Sequence, residues 1–472
     1  MSTQHPSPIV NDIHSAMNLT SVSKIVEVRD LAHLAATLAE ARSSGKKVAI
    51  SAGRHAMGGQ QFAQDAVLLD MRCMDKVLAF DRSLGIITVE AGIQWPALID
   101  YLEAAQKDGL RQWSIRQKQT GADNLSLGGC LSANVHGRGL QMCPFIDDVE
   151  SFSLLDAQGR LQHCSRDNNS HLFRLAIGGY GMFGIITKVS LRLGIRQKMR
   201  RDVSMISLED LMPAFAQRIA TGYAYGDFQF AIDPASPDFL QRGVFSCYCP
   251  VADSSSIREE HALSDEQWQQ LLVLAHVDKS SAFECYARHY MSSSGQIYWS
   301  DRLQQTTYLD GYHNKIDSLL GHHGSEMIGE LYVPRAELQA FMRDAALDFR
   351  QHGVDLIYGT VRLIKADTES FLPWARQDYA CVIFNLHTEH SESGMAATAA
   401  AFGRLINLAI LRDGSFYLTY GRYATAKQTR HCYPNFGNFL TYKRRFDPEL
   451  LFQSTWFQHH AAMFASSLEQ AA

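Results

Sequence analysis

The stretch "AIGGYGMFGIITKVSL", residues 176–191, decides what kind of fold this chain can have. Four glycines crowd a turn, and the text then runs straight into Ile-Ile-Thr-Lys-Val, a β-branched strand. A dinucleotide-binding glycine fingerprint must instead open a helix, whose N-terminal amides meet the pyrophosphate. Outward from this strand, residues 24–193 alternate short β-rich runs with only a few helical segments. "KIVEV", "KVAIS", "AVLLDM", "KVLAFD" and "IITVEAG" read as strands, and "VESFSLLDAQGRLQHCS" as a hairpin turning at Gln158-Gly159. "DLAHLAATLAEARSSG" reads as a helix with Asp30 at its N-cap and Gly45 at its stop. "QWPALIDYLEAAQKDG" is a second helix, with Pro96 in its first turn. This is an α+β pattern, with too few helices for a parallel sheet built of βαβ units.

Two further segments share the glycine-rich character. "VAISAGRHAMGGQQF", residues 48–62, leaves a strand and sets His55 among glycines. "TGADNLSLGGCLSANVHGRG", residues 120–139, carries Gly128-Gly129 and His136-Gly137. Each reads as a turn beside an apolar strand. Glycine lets backbone amides approach a ligand closely, and three such loops fit a cradle for a large anionic cofactor. None is followed by Gly-Lys-Ser/Thr, so none is a phosphate loop of the ATPase kind.

Length and composition set the outer limits. The 472 residues suffice for two or three domains, with 46% hydrophobic and 20% charged residues and a formal net charge of −5. No basic field suited to nucleic acid is present. The nine cysteines are scattered, and Cys247-Tyr-Cys249 is too closely spaced for a zinc pair, so no metal site is expected. An odd, scattered set suits a reducing cytoplasm. The first residues lack a basic and apolar leader, and no run of 18 apolar residues is seen, so no transmembrane segment is expected.

The order of these pieces resembles the vanillyl-alcohol oxidase/p-cresol methylhydroxylase (PCMH) superfamily of FAD flavoproteins. "GRHAMGGQ" resembles its pyrophosphate loop and "LGGCLSANVHGRG" the segment under the isoalloxazine. "GGYGMFGIITKVSLRL" resembles the strand beside adenine and ribose, and "VEAGIQWPALIDYLE" the strand-to-helix passage between. The nearest members in motif are aldonolactone and alditol oxidases and decaprenylphosphoryl-ribose oxidase. The resemblance covers residues 20–195. It implies a two-subdomain PCMH-type FAD-binding domain over 20–196, after a short arm. A substrate-binding cap with a large antiparallel sheet flanked by helices is expected over 197–412, and a C-terminal segment, 413–472, packing back on the FAD domain.

The resemblance implies FAD contacts from Gly53, Arg54, His55, Ala56, Met57, Gly58, Gly59 and Gln60. From the second segment it implies Thr120, Gly121, Asn124, Leu125, Gly128, Gly129, Ser132, Ala133, His136 and Gly137. From the third it implies Gly181, Gly184, Ile185 and Ile186. His55 takes the place of the histidine that many members bond to the flavin 8α-methyl, for which the imidazole must be neutral. His136 is expected near the reactive face of the flavin. Arg362, in "YGTVRLI", takes the place of the site arginine of polyol enzymes, but their partner carboxylate is replaced by Thr360, which counts against a polyol. Asn385 or His387, on one face of the strand "CVIFNLHT", takes the place of a site histidine. Tyr420 stands where the decaprenylphosphoryl-ribose enzyme has a lysine, and Lys443, in "YKRRFDP", reads as a surface charge.

The implied activity is FAD-dependent oxidation of a CH–OH group in a sugar, polyol, lactone or related alcohol. Hydride would pass to flavin N5, and His136, His387 or Tyr420 would accept the proton. Electrons would go on to O2 or another carrier, and branched Val135 points to a dehydrogenase. Two alternatives are a flavin enzyme of C–C bonds, against which His55 argues, and a flavin-binding protein without small-alcohol activity.

Overall fold

The computed structural model describes residues 7–107, 111–257, 262–306, 309 and 311–465. The helix expected over 94–109, and the long polar stretch 253–295, whose pattern also reads as helical, cross 108–109 and 258–261, which lie outside the described residues. Residues 9–21 are tied to the chain that follows. β1 (Ile9–Val10) pairs with β2 (Thr20–Ser21), and between them buried Asp12 accepts hydrogen bonds from Ser15 and Asn18. Asn18 Nδ2 in turn donates to the Met57 carbonyl at 2.8 Å, so the segment docks on the first glycine loop.

β3 (Lys24–Glu27), β4 (Val48–Ser51) and β5 (Val67–Asp70) form a parallel sheet in the order β3-β5-β4. α1 (Leu31–Ser43) makes the crossover and is capped as expected, with Asp30 accepting from the His33 amide. A five-stranded antiparallel sheet follows, in the order β10-β9-β11-β7-β6. Its members are β6 (Val77–Asp81), β7 (Ile86–Glu90), β9 (Val149–Leu155), β10 (Leu161–Ser165) and β11 (Ile185–Arg192). The glycine turn at 178–184 thus leads into a strand, β11, central in this sheet. α2 (Trp95–Ala105) starts at the expected proline, and a small ladder joins β8 (Trp113–Ser114) to β12 (Gly194–Ile195).

The second glycine segment departs from the expected loop. Its centre is a helix, α3 (Leu127–Ala133), with Ser126 accepting from the Gly129 amide and Asn134 ending it in the left-handed region at φ 50°. The glycine pair serves close packing: a Cβ on Gly128 would lie 3.0 Å from the Ala91 Cβ, and its amide donates to the Ala91 carbonyl at 2.7 Å. α4 (Ser170–Ala176) completes this part.

The rest is an eight-stranded antiparallel sheet ordered β16-β13-β15-β14-β18-β19-β17-β20. It contains β13 (Lys198–Ser207), β14 (Tyr225–Phe230), β15 (Arg242–Pro250), β16 (Ile297–Trp299), β17 (Gly324–Pro334), β18 (Leu356–Ile364), β19 (Tyr379–Glu389) and β20 (Ser415–Phe416). Its helices are α5 (Leu208–Ala220), α6 (Asp265–Val277), α7 (Lys279–Ser292), α8 (His313–Leu320), α9 (Leu338–His352) and α10 (Glu392–Ile410). Among the described residues α10 alone has the length and composition of a membrane-crossing helix. It buries Ala401, Phe402, Leu405, Ile406 and Ala409 and packs on β17 and β19, as a core helix does.

The chain closes with α11 (Ala426–Cys432), α12 (Phe436–Phe446) and α13 (Thr455–Met463). Trp456 packs on Tyr180, Phe439 on Phe183, and Phe452 bridges to Val48. Lys443 is corrected from the sequence reading. It is fully buried in α12, with Nζ 2.5 Å from Asp447 Oδ2, and burial lowers its pKa to about 8 against the pull of that carboxylate. Asp447 also accepts the Leu451 and Phe452 amides, so Lys443 belongs to a buried ion pair at the end of α12.

Candidate active site

Two adjoining cavities lie where the glycine segments meet the eight-stranded sheet. The first, about 220 Å³, is lined by backbone and small side chains from all three segments. Gly53, Arg54, His55, Ala56, Met57 and Gln60 come from the first. Thr120, Gly121, Leu125, Gly128, Gly129, Ser132 and Ala133 come from the second, and Gly181, Gly184 and Ile186 from the third. Six expected contacts do not line it. Gly58 and Gly59 are buried beside it, Asn124 is exposed outside it, Ile185 points into the core, and His136 and Gly137 are buried, with Val135 on the wall in their place. His14, Cys130, Tyr180, Tyr417 and Thr419 also line the cavity and were not expected there. Cys130 keeps its proton, because burial pushes the thiol up to about 12.

The first and second segments touch at Gly53, where a Cβ would stand 2.4 Å from the Asn124 carbonyl oxygen. That same carbonyl lies 3.1 Å from His55 Nε2. A carbonyl can only accept, so Nε2 carries the proton and Nδ1 presents its lone pair. His14 Nε2 is 2.9 Å from that Nδ1 and donates to it. Burial, then the neighbouring His14, lowers the His55 pKa to about 3. Burial, then His313, lowers that of His14 to about 4. Both rings are therefore neutral near pH 7. Arg54, just before, holds φ at +58°, a strained value for a side-chain-bearing residue, and its buried Nε has no partner.

The second cavity, about 490 Å³, shares His14, Gln119, Thr120, Gly121, Ile328 and Tyr420 with the first. Its walls carry Trp268, Phe283, Tyr286, Tyr290, Tyr298 and Tyr358, and its polar groups include Arg138, Asp227, Gln229, Arg362 and Asn385. Arg362 is buried, with Nε and Nη1 unpartnered, and the Asn385 Oδ1 is likewise unpartnered. His387 lines neither cavity; it faces Glu326.

Beneath the junction lies a group the sequence did not reveal. Glu330, from β17, is fully buried with Oε1 2.5 Å from His136 Nε2 and 2.8 Å from Cys381 Sγ. Its Oε2 has no partner. Burial works to raise the Glu330 pKa, but the His136 charge and hydrogen bond outweigh it, so the carboxylate stays ionised. Burial, then that carboxylate, pushes the Tyr420 phenol well above its usual range.

A flavin dinucleotide needs glycine-lined backbone for its phosphates and fixed polar atoms for its ring edges. The first cavity offers both, with buried Arg54 Nε, Gln61 Oε1, Gln119 Oε1 and Thr120 Oγ1 unpartnered along its wall. Comparison with known proteins decides the matter: residues 22–165 match the family model described as FAD binding domain. The chain carries an FAD-binding domain. It is of the PCMH type, in agreement with the motifs, and the eight-stranded sheet is the second element of that α+β fold. The chain is 26% identical over 224 residues to L-galactono-1,4-lactone dehydrogenase of Brassica oleracea, covering 46% of this chain and 35% of that one. It is 32% identical over 148 residues to cytokinin dehydrogenase 3 of Arabidopsis thaliana, covering 30% and 27%. It is 28% identical over 173 residues to L-gulonolactone oxidase of Mus musculus, covering 37% and 36%. The matches thus span between 27% and 36% of these relatives' own lengths.

Proposed function

We propose that this chain is an FAD-dependent oxidoreductase that oxidises a CH–OH group, with residues 197–412 forming a cap that holds the donor. The observation that carries the reading is the junction of the two cavities at Tyr420, above Glu330 and beside Arg362. FAD, when bound in the first cavity, supplies the hydride acceptor. The chain's own residues do the rest. Arg362 has guanidinium N–H groups free to hold a developing alkoxide. Tyr420 can pass a hydroxyl proton at its phenol oxygen, with the Glu330 carboxylate beside it. His136, locked on Glu330, fixes that carboxylate rather than meeting the donor. Asn385 offers an acceptor for a second donor group.

His55 is neutral, as a nucleophilic imidazole must be, and would serve covalent attachment of the flavin once His14 gives up its Nδ1 lone pair. The relatives named for galactonolactone and gulonolactone support a sugar-acid or lactone donor. The Trp268 and tyrosine walls favour a second reading, a donor with an aromatic or alkyl portion. The test is anaerobic mixing of holoenzyme with sugar acids, lactones, polyols, aryl alcohols and secondary amines while the flavin absorbance is followed. Bleaching by an alcohol or lactone supports the reading; bleaching only by amines, or by none, overturns it. Readmitting O2 or a dye then separates oxidase from dehydrogenase. Tyr420→Phe is expected to lower kcat about 100-fold or more with flavin retained.

A further inference from the structure

A second cluster lies beside the larger cavity, apart from Glu330, with Glu326 in the cavity's lining. Glu326, on β17, is buried, and its Oε1 lies 2.9 Å from His276 Nε2 of α6 and 3.7 Å from His387 Nδ1 of β19. The three ligand atoms all fall within 4.8 Å of one another. The other ring nitrogen of His276, Nδ1, lies 2.8 Å from the Leu272 carbonyl oxygen. That carbonyl accepts, so Nδ1 carries a proton and Nε2 is the ring atom turned to the carboxylate oxygen. A carbonyl at one ring nitrogen and a carboxylate at the other leave the ring two states, a second proton on Nε2 or a metal ion bound there. His387 turns to the same carboxylate from β19. Its side chain is 6% exposed, its Nε2 meets His322 at 2.9 Å, and its Nδ1, turned toward Glu326, has no hydrogen-bond partner.

We propose that His276 Nε2, Glu326 Oε1 and His387 Nδ1 bind a transition-metal dication of the zinc class. Ligand atoms about 2.0–2.2 Å from a tetrahedral ion lie roughly 3.4 Å apart, and the observed 2.9 and 3.7 Å bracket that spacing. Two imidazoles and one carboxylate are a donor set for zinc-like ions, whereas magnesium and calcium prefer oxygen alone. The Leu272 carbonyl supplies the outer hydrogen bond that orients a ligating imidazole. His313 Nε2, 3.1 Å from Glu326 Oε2, stands at the same carboxylate, as does the Tyr312 hydroxyl. His313, Tyr312 and Glu326 line the cavity whereas His276 and His387 do not, so the ion would sit at the chamber's edge, on the side of Glu326. No spacing in the sequence announces the site, because its ligands come from three elements. The site requires nothing of the flavin.

The test is zinc uptake by chelator-stripped holoenzyme, followed by calorimetry, elemental analysis and the unfolding temperature. The expected result is one zinc per chain and a raised unfolding temperature. Glu326→Gln and His387→Ala should each lower affinity at least 100-fold, beyond the ~10–100-fold lost when an outer partner alone is removed. Flavin absorbance and a cooperative unfolding transition show that each variant is folded; should one fail, the other, with His276→Gln, decides. No stoichiometric uptake by the wild type, or uptake that these variants leave unchanged, overturns the site and points to an imidazolium–carboxylate pair.

Discussion

At the scale of single residues, the pair His14–His55 ties the N-terminal segment to the cofactor cleft. The Asn124 carbonyl fixes the tautomer of His55, and the His14 N–H is directed at the remaining lone pair. His14→Ala removes that donor and is therefore expected to leave FAD binding intact and to speed covalent attachment, as read over time by flavin in the acid-soluble and acid-insoluble fractions. His55 was legible in the sequence because glycines surround it locally. His14 was not, because its place depends on a buried turn around Asp12 and Asn18 that brings it back over 41 residues. Glu330 and Glu326 escaped notice for a related reason: each acidic residue sits in a strand that reads as ordinary alternation, and only cross-strand neighbours give it chemistry.

At the scale of elements, α12 shows how a charge cluster misleads. "YKRRFDP" reads as solvated, yet Arg444 and Arg445 face outward while Lys443 turns inward to Asp447. The signal was present as an i,i+4 pair, but helical phase decides which of three adjacent cations is buried. Lys443→Met leaves the Asp447 carboxylate buried without its cation. A loss of about 3–5 kcal/mol is expected in urea unfolding. α3 was misread for a different reason. Two glycines oppose a helix by about 1 kcal/mol each, and here the Ser126 cap and the contact with Ala91 offset that cost. The glycine turn before β11 was read correctly, since β-branched Ile185-Ile186-Thr187 leaves little choice but a strand.

At the scale of the whole molecule, the α+β class and the cleft were legible, because backbone-lined cofactor sites are written in contiguous glycine motifs. The chamber was less so, because its walls come from α6, α7, β14 and β18, and side chains far apart in sequence define it. The closing helices add an acid sensitivity. Burial holds His460 at a pKa of about 3, whereas in the unfolded chain it titrates near 6.5. Between these values the unfolded state binds the extra proton, so this contribution to stability is lost as pH falls from 6.5 toward 3. Asp148, raised by burial to about 7, acts in the opposite sense, so the comparison must be between variants. His460→Phe is expected to flatten the fall in urea-unfolding stability between pH 6.5 and 4.5 relative to wild type.

The central claim, that the first cavity is an FAD site with the His55 imidazole at its edge, has a direct measurement: the spectrum of acid-precipitated protein, washed and redissolved in denaturant. Wild type should retain a yellow, flavin-absorbing chain, and His55→Ala should bind FAD yet release it entirely on precipitation. A wild-type chain that takes up no flavin, or one whose retained flavin is unaffected by His55→Ala, would contradict the account.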